Sequence, residues 1–338
     1  MTADHAHGPV EGPAHPSFQA NPGGETMTVK IFDRPDTQAF LKELSGLNND
    51  SGNPRMKQIV HRLMSDLFKA IDDLDITPDE YWMGVAWLND LGAAGQAGLI
   101  SPGLGVDHFI DERLDAIDAS LGIENPTPRT IEGPLYVAGA PESVGFARLD
   151  DGTDTDGHTL VMHGTVYGSD GKPLPGAKVE VWHCDTRGFY SHFDPTGKQA
   201  PFNMRRTIIA DEDGRYRFQS ILPSGYGVPP GSPTEKLLTA LGRHGQRPAH
   251  IHFFVSADGH RKLTTQINIE GDPLINDDFA YATREGLVPS VVERTDEESI
   301  HANNLNGPFA EIAFDIHLTA LVDGVDNQVN EQRRRAAA

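Results

Sequence analysis

The spacing of apolar residues differs between the two halves of the chain. From about residue 37 to residue 121, apolar residues recur at helical spacing, which predicts amphipathic helices. The clearest stripe lies in MKQIVHRLMSDLFKAIDDL, and we interpret it as a core face or a subunit interface rather than a cofactor box. The stripe consists of Ile59, Val60, Leu63, Met64, Leu67, Phe68 and Ile71.

Local signals place the start of the next helix. In TPDE, Thr77 is predicted as the N-cap, Pro78 as the first helical residue and Glu80 as the partner that closes a capping box. Another helix is predicted around DHFIDERLDAIDASLG.

After about residue 130 the period changes from helical to alternating. HTLVMHGTVYGSDGKPLPGAKVEVWHC has the pattern strand, turn, strand. IIADEDGRYRFQSI and IHFFVSADGHRKLTTQINI repeat it, with Asp213-Gly214 and Asp258-Gly259 at the turns. Short strands with regular turns predict an antiparallel β-sandwich, so the fold class is α+β, mainly β.

These patterns predict three parts. Residues 1–26 are rich in Gly, Pro, Ala and His without apolar periodicity, which predicts a disordered tail. Residues 27–130 are predicted to form a helical domain, and residues 131–338 a β-sandwich domain.

Composition narrows the class of protein. The 338 residues carry a formal net charge of -21, which argues against a nucleic-acid surface. The sequence has no apolar run that approaches a membrane span, and its N-terminus lacks a secretory pattern. Cys184 is the only cysteine, which fits a reducing compartment. We therefore expect a cytoplasmic protein that acts on small molecules.

The candidate chemistry begins at RPAHIH. In a strand, His250 and His252 point to the same face, which suits either a metal or a polar, solvated surface. A metal needs further ligands, and neither cysteine pairs nor H-E-x-x-H supply them. Tyr190 in GFYSHFDP and Tyr226 in LPSGYGVPP lie in loop-like stretches, although a single loop tyrosine is usually a boundary residue.

The order of these motifs resembles the intradiol ring-cleavage dioxygenases. GFYSHFD, PSGYG and GRHGQRPAHIHFFVSADGHRKLTTQIN occur in that order, together with GPLYVAGAPE and DDFAYATREGL, and the similarity runs from about residue 37 to the end. The resemblance implies one non-haem iron(III) per subunit, bound by Tyr190, Tyr226, His250 and His252. It also implies cleavage of catechol by O2 to cis,cis-muconate, in the β-ketoadipate pathway of aromatic compound degradation.

The resemblance assigns further roles. Tyr226 is expected to act as a general base for substrate protons, Arg247 to stabilise negative charge on the substrate ring, and Gln266 to orient a ligand or Arg247. The expected substrate pocket is apolar except for Arg247. It consists of Leu99, Pro102, Ile131, Gly133, Pro134, Leu135, Arg247, Phe279 and Ala280.

The resemblance also implies that residues 131–338 form the iron-binding catalytic domain and that residues 27–130 form a linker or dimerisation domain. The partners it implies are catechol, O2 and a second copy of the chain, with phospholipid tails in the helical dimer interface. Two other functions are compatible with the His pair alone. One is a β-sandwich carrier module in which the pair is incidental. The other is an extradiol dioxygenase, which uses iron(II) with two histidines and one carboxylate.

Overall fold

The computed structural model describes residues 29–123 and 126–322, so the predicted tail lies outside the described residues. The chain forms two compact units, divided after Ala86. The first contains α1 (Pro35–Leu44), α2 (Pro54–Leu74) and the start of α3 (Pro78–Ala93). The second contains the rest of α3, then α4 (Ala97–Gly103), α5 (Val106–Ser120) and the β-strands.

The helix signals in the sequence act as predicted. The backbone N–H of Thr77 donates to the Glu80 carboxylate at 2.8 Å, and the backbone N–H of Glu80 donates to Thr77 Oγ1 at 3.3 Å. The predicted capping box is therefore confirmed. The helix predicted around DHFIDERLDAIDASLG is α5.

The apolar stripe of α2 is not buried within the described chain. None of its residues belongs to the buried class, and Leu63 is 57% exposed. The stripe is therefore only partly covered by the described residues, with Phe68 stacked on Phe40, and the subunit interface stays a prediction.

The second unit is mainly β-structure. Its strands and short helices, in chain order, are β1 (Glu142–Val144), β2 (Phe146–Arg148), β3 (Thr159–Tyr167), β4 (Lys178–Trp182), β5 (Arg205–Ile209), β6 (Arg215–Ile221), β7 (Tyr226–Gly227), α6 (Pro233–Ala240), β8 (Gln246–Arg247), β9 (His250–Ser256), β10 (Leu263–Asn268), β11 (Val291–Arg294), α7 (Glu297–Ala302), β12 (Phe309–Ala313) and β13 (Ile316–His317).

The strands form two large sheets and one small one. The first has the order β1-β5-β4-β9-β10, the second has the order β11-β12-β3-β6-β2 with β13 beside β3, and β7 pairs with β8. The central pairs β4–β9 and β3–β6 are antiparallel, whereas β1–β5 and β2–β6 are parallel. The turn at Asp258-Gly259 closes the β9–β10 hairpin. The turn at Asp213-Gly214 instead joins β5 to β6, which lie in different sheets.

One apolar core lies between the two large sheets. It contains Leu160 and Met162 from β3, Val181 from β4, and Ile251 and Phe253 from β9. Side chains from both sheets therefore meet face to face, which confirms the predicted α+β sandwich fold. In the described part of the chain, no helix combines the length and hydropathy needed to cross a bilayer.

Candidate metal and active site

The candidate site lies on the face of β9 that points away from the sandwich core. Ile251 and Phe253 enter the core, so His250 and His252 point to the opposite face, where both are buried. His252 lies opposite Trp182 on β4 and Gln266 on β10. The indole ring of Trp182 stacks on the His252 imidazole, with 4.9 Å between ring centroids and an angle of 5°. This stacking fixes the plane of the His252 ring.

The two candidate tyrosines reach the same face from separate segments. Tyr190 follows β4 in a loop, and Tyr226 in β7 pairs with Arg247 in β8. Gly188 has a φ of 81°, and a Cβ atom there would lie 2.8 Å from the Tyr226 Cβ. Only glycine combines this backbone conformation with so close an approach. The two tyrosine rings meet edge to face, with 5.5 Å between centroids.

Four donor atoms converge at this point. His250 Nε2 lies 3.4 Å from Tyr190 Oη, 3.3 Å from Tyr226 Oη and 3.1 Å from His252 Nε2. The two tyrosine Oη atoms are 3.5 Å apart. Ligand atoms that lie about 2 Å from one ion are about 3 Å from each other. The spacing of these four atoms therefore fits a single bound cation.

The protonation state of the two histidines also allows them to bind a metal. His250 Nδ1 lies 2.7 Å from the Pro248 carbonyl oxygen, to which it can only donate, so Nε2 carries the lone pair. Burial, with the nearby Arg247 charge, lowers the pKa of His250 to about 3. Burial, and to a smaller extent the neighbouring His250, also lowers the pKa of His252 well below its usual value. Both imidazoles are therefore neutral at pH 7 and free to bind a metal.

The tyrosines need a cation in order to ionise. Burial raises the pKa of Tyr190 well above its usual value, and the neighbouring Tyr226 raises it further. Burial likewise raises the pKa of Tyr226, although the Arg247 charge opposes this effect. A bound cation would reverse the shift, because it lowers the pKa of its ligands. Within residues 29–123 and 126–322, no three His, Cys, Asp or Glu side chains form a metal-binding group, so the phenol oxygens are needed to complete the ligand set.

Arg247 is held beside the four donors by two buried partners. Its Nε and Nη2 donate to the two carboxylate oxygens of Asp278 at 3.1 and 3.0 Å, and Nη2 also donates to Gln266 Oε1 at 2.8 Å. Nη1 remains, and it lies 3.0 Å from His250 Nε2. Asp278 and Gln266 therefore aim Nη1 at the centre of the site, and Gln266 contacts Arg247 rather than a ligand.

The sequence did not single out Asp278. Burial alone would raise the pKa of its carboxyl group, but the Arg247 charge and the hydrogen bonds from Arg247 and the Ala280 backbone together hold the pKa below its usual value. Asp278 lies 31 residues from Arg247, in NDDFAY, and no local pattern links the two positions.

The structure brings together several of the expected pocket residues. Ile131, Phe279 and Ala280 share one buried apolar cluster. Gly133 has a φ of 70°, and a Cβ atom there would lie 3.6 Å from His252 Cε1, so its backbone approaches the imidazole. Leu135 packs against the cluster that contains Tyr190.

Helix α4 supplies the remaining pocket positions. Leu99 is half-buried and Pro102 is buried. On this helix a Cβ atom at Gly98 would lie 3.7 Å from Pro134, and one at Gly103 would lie 3.4 Å from the Phe279 ring. The small residues of α4 therefore allow it to pack closely on the other pocket segments.

Comparison with known proteins identifies the class. A model of the dioxygenase family matches residues 131–320, and a model of the catechol dioxygenase N terminus matches residues 53–122. A catechol 1,2-dioxygenase from Acinetobacter baylyi is 69% identical over 310 residues, which cover 92% of this chain and 100% of that relative. One from a Pseudomonas species is 56% identical, covering 87% of this chain and 96% of that relative.

A solved structure agrees. The structure of an Acinetobacter catechol 1,2-dioxygenase inhibited by bound mercury matches with a TM-score of 0.87 and 69% identity, over 90% of this chain and 99% of that one. The chain therefore belongs to the family of intradiol ring-cleavage dioxygenases, and the resemblance noted in the sequence is confirmed. The carrier-module and extradiol alternatives are accordingly wrong.

Proposed function

We propose that this enzyme cleaves catechol between its two hydroxyl-bearing carbons, with O2, to give cis,cis-muconate at a non-haem iron(III) site. The observation that carries the proposal is the convergence of two phenol oxygens and two imidazole nitrogens on one point. The catechol dioxygenases that cover nearly the whole chain support the choice of substrate.

The donor set favours iron(III) over softer or less charged metals. Phenolate oxygen is a hard, anionic ligand, and two phenolates offset much of the charge of a trivalent ion in a buried site. The proposed ligands are Tyr190, Tyr226, His250 and His252. Bound iron(III) would chelate the catechol dianion and make its ring electron-rich enough to react with O2.

The protein's own residues then handle protons and charge. Tyr226, as a phenolate, accepts one catechol proton at Oη and becomes a neutral phenol, which burial favours. The second catechol proton would be taken up by the hydroxide that the substrate displaces. Arg247 directs Nη1 towards the site and stabilises negative charge on the substrate. Gln266 keeps Arg247 in this orientation through its 2.8 Å contact with Nη2.

The pocket residues support a preference for unsubstituted catechol. Ile131, Leu135 and Phe279 are apolar, so they offer no hydrogen-bond partner to a third hydroxyl group on the ring. A buried hydroxyl without a partner costs about 1–3 kcal/mol, or roughly tenfold to a hundredfold in selectivity. We therefore expect catechol to react best, small alkylcatechols next, and hydroxyquinol and protocatechuate poorly.

An anaerobic titration tests the proposal. Purified protein should contain iron and show a red-brown tyrosinate-to-iron(III) charge-transfer band, and the band should change when catechol binds without oxygen. Admission of O2 should then yield cis,cis-muconate that contains both oxygen atoms. A ring-opened semialdehyde as product, or protein that binds iron without a visible band, would contradict the proposed site.

We also propose a homodimer through the helical part, with phospholipid tails in its interface. The support is the α2 stripe, on which Ile59 and Leu63 are 38% and 57% exposed. Solvent exposure of so many apolar side chains is typical of an interaction surface. Leu63→Lys should reduce the dimer fraction in sedimentation experiments, and lipid extraction with mass spectrometry would detect the tails. The pathway and the cytoplasmic location stay predictions from the sequence.

A further inference from the structure

Arg205 is a buried cation beside the candidate site. It lies in β5, is 1% exposed, and its Cζ is 5.6 Å from the centroid of the Tyr190 ring. Its Nε donates to Ser191 Oγ at 2.9 Å, and its Nη2 donates to the Ser191 carbonyl oxygen at 3.1 Å. Its Nη1 is buried and has no hydrogen-bond partner among the described residues.

The guanidinium also lacks an anion. Buried arginines normally pair with a carboxylate, because an unpaired internal charge is costly. Arg247 follows this rule with Asp278, but among residues 29–123 and 126–322 Arg205 forms no ion pair. Burial lowers the pKa of Arg205 only to about 10, so the group is charged at pH 7.

Two neighbours of Arg205 could become negative, Tyr190 and Tyr136, and of these Tyr190 is the candidate metal ligand and has the larger effect on Arg205. While Tyr190 is a neutral phenol, the contact is a cation–π interaction. As a metal ligand, the same side chain is a phenolate, with charge spread over the oxygen and the ring. The unpaired cation therefore attracts the Tyr190 side chain more strongly in the metal-bound state, in which that side chain is an anion.

We propose that Arg205 stabilises the phenolate form of Tyr190 and thereby sets how strongly this oxygen donates to the iron. This inference rests on the proposed iron site. Arg205 is a positioning residue in this scheme, because it acts through Tyr190 and does not contact substrate. Neither the sequence motifs nor the family resemblance assigns it a role.

The charge of Arg205 has two measurable consequences. At 5.6 Å and an effective dielectric constant of about 20, attraction to a phenolate is worth about two orders of magnitude in an equilibrium. Repulsion between Arg205 and a bound cation would offset part of this, so a neutral side chain should weaken iron(III) binding by about tenfold. The charge-transfer band of the neutral variant should also move to longer wavelength. In the wild-type enzyme the nearby cation stabilises the electrons on the tyrosinate donor, so its removal lowers the energy of the transition.

A purely structural role would look different. Arg205 anchors Ser191, the neighbour of Tyr190, so its loss could displace the tyrosine without any electrostatic effect. Lysine keeps the charge but lacks the planar guanidinium that contacts Ser191 twice. Arg205→Lys therefore separates charge from anchoring.

The test compares the iron-loaded enzyme with Arg205→Met, Arg205→Lys and a control, Arg206→Met. Arg206 is the next residue on β5, where its Nη1 donates to the backbone carbonyl oxygens of Phe202 and Arg205. We expect the methionine variant to show the longer-wavelength band and about tenfold weaker iron binding. The lysine variant and the control should stay close to the wild-type enzyme. If Arg205→Met does not fold, Arg205→Gln supplies the neutral side chain.

Two results would overturn the inference. One is an unchanged band in the neutral variants, and the other is an equal change in the lysine and neutral variants. Failure of the iron site itself is distinguishable, because the wild-type enzyme would then show no tyrosinate band at all.

Discussion

Asp278→Asn is the sharpest test of how the site holds Arg247. The substitution keeps the shape of the side chain but removes the charge that faces a guanidinium buried to 4% exposure. Two hydrogen bonds, of 3.1 and 3.0 Å, join the two side chains, and an amide can accept with only one of its two ends. The variant therefore leaves a buried cation with one neutral acceptor in place of a carboxylate.

The expected magnitude follows from burial. Removal of one partner from a buried ion pair costs about 3–5 kcal/mol, and the retained hydrogen bond places this variant near 3 kcal/mol. For a unit of this size, 1 kcal/mol corresponds to about 2–4 °C, so Tm should fall by about 6–12 °C. If Nη1 no longer points at the site, kcat should fall by about a hundredfold, whereas KM should change less because the iron would still hold the substrate.

The assay needs a matched control and a second background. Asp277→Asn changes the adjacent residue, whose side chain is 75% exposed, and should leave Tm and kcat unchanged. In an Arg247→Met background, Asp278→Asn should cost little further activity, because the group that Asp278 positions is already absent. Wild-type kcat in Asp278→Asn, or an equal loss in both backgrounds, would refute the positioning role.

Three further predictions use independent groups. His250→Ala should lose iron almost completely by metal analysis, whereas His158→Ala, at a solvent-exposed imidazole, should keep full iron content. Leu99→Ala should raise kcat/KM for alkylcatechols relative to catechol, and Leu104→Ala, just beyond the same helix, should not. Burial raises the pKa of Asp111 to about 6, so its protonated form favours the fold and its contribution is lost as pH rises from about 4 through 6. In urea unfolding, Asp111→Asn should therefore gain stability over the wild type above pH 6, by at most about 3 kcal/mol, and show no gain near pH 4.

The sequence predicts the strand that carries the histidines because alternation is a local property. Period two places His250 and His252 on one face and Ile251 on the other, and the structure has this arrangement. Their approach to Tyr190 and Tyr226 could not be derived this way, because the tyrosines come from segments 24 and 60 residues from His250. Only the family resemblance linked the four positions.

A local sequence pattern also cannot show which sheet a strand joins. The turn at Asp213-Gly214 looks like a hairpin turn, yet its strands β5 and β6 belong to different sheets. Turn chemistry sets the reversal of the chain, whereas the burial of each strand's apolar face decides its partner. Here β5 pairs with β4 and β6 pairs with β3, so that both apolar faces enter the shared core.

In β5, too, a local sequence pattern does not identify the residue of interest, Arg205. The first two residues of this strand are both arginines, so composition cannot tell which of Arg205 and Arg206 lies on the face of the candidate site. The register does: Arg205 lies opposite Trp182 and is buried, whereas Arg206 lies opposite Val181 and is half-buried. A buried arginine without a carboxylate conflicts with folding energetics alone. The proposed phenolate form of Tyr190 would supply the missing negative charge beside Arg205.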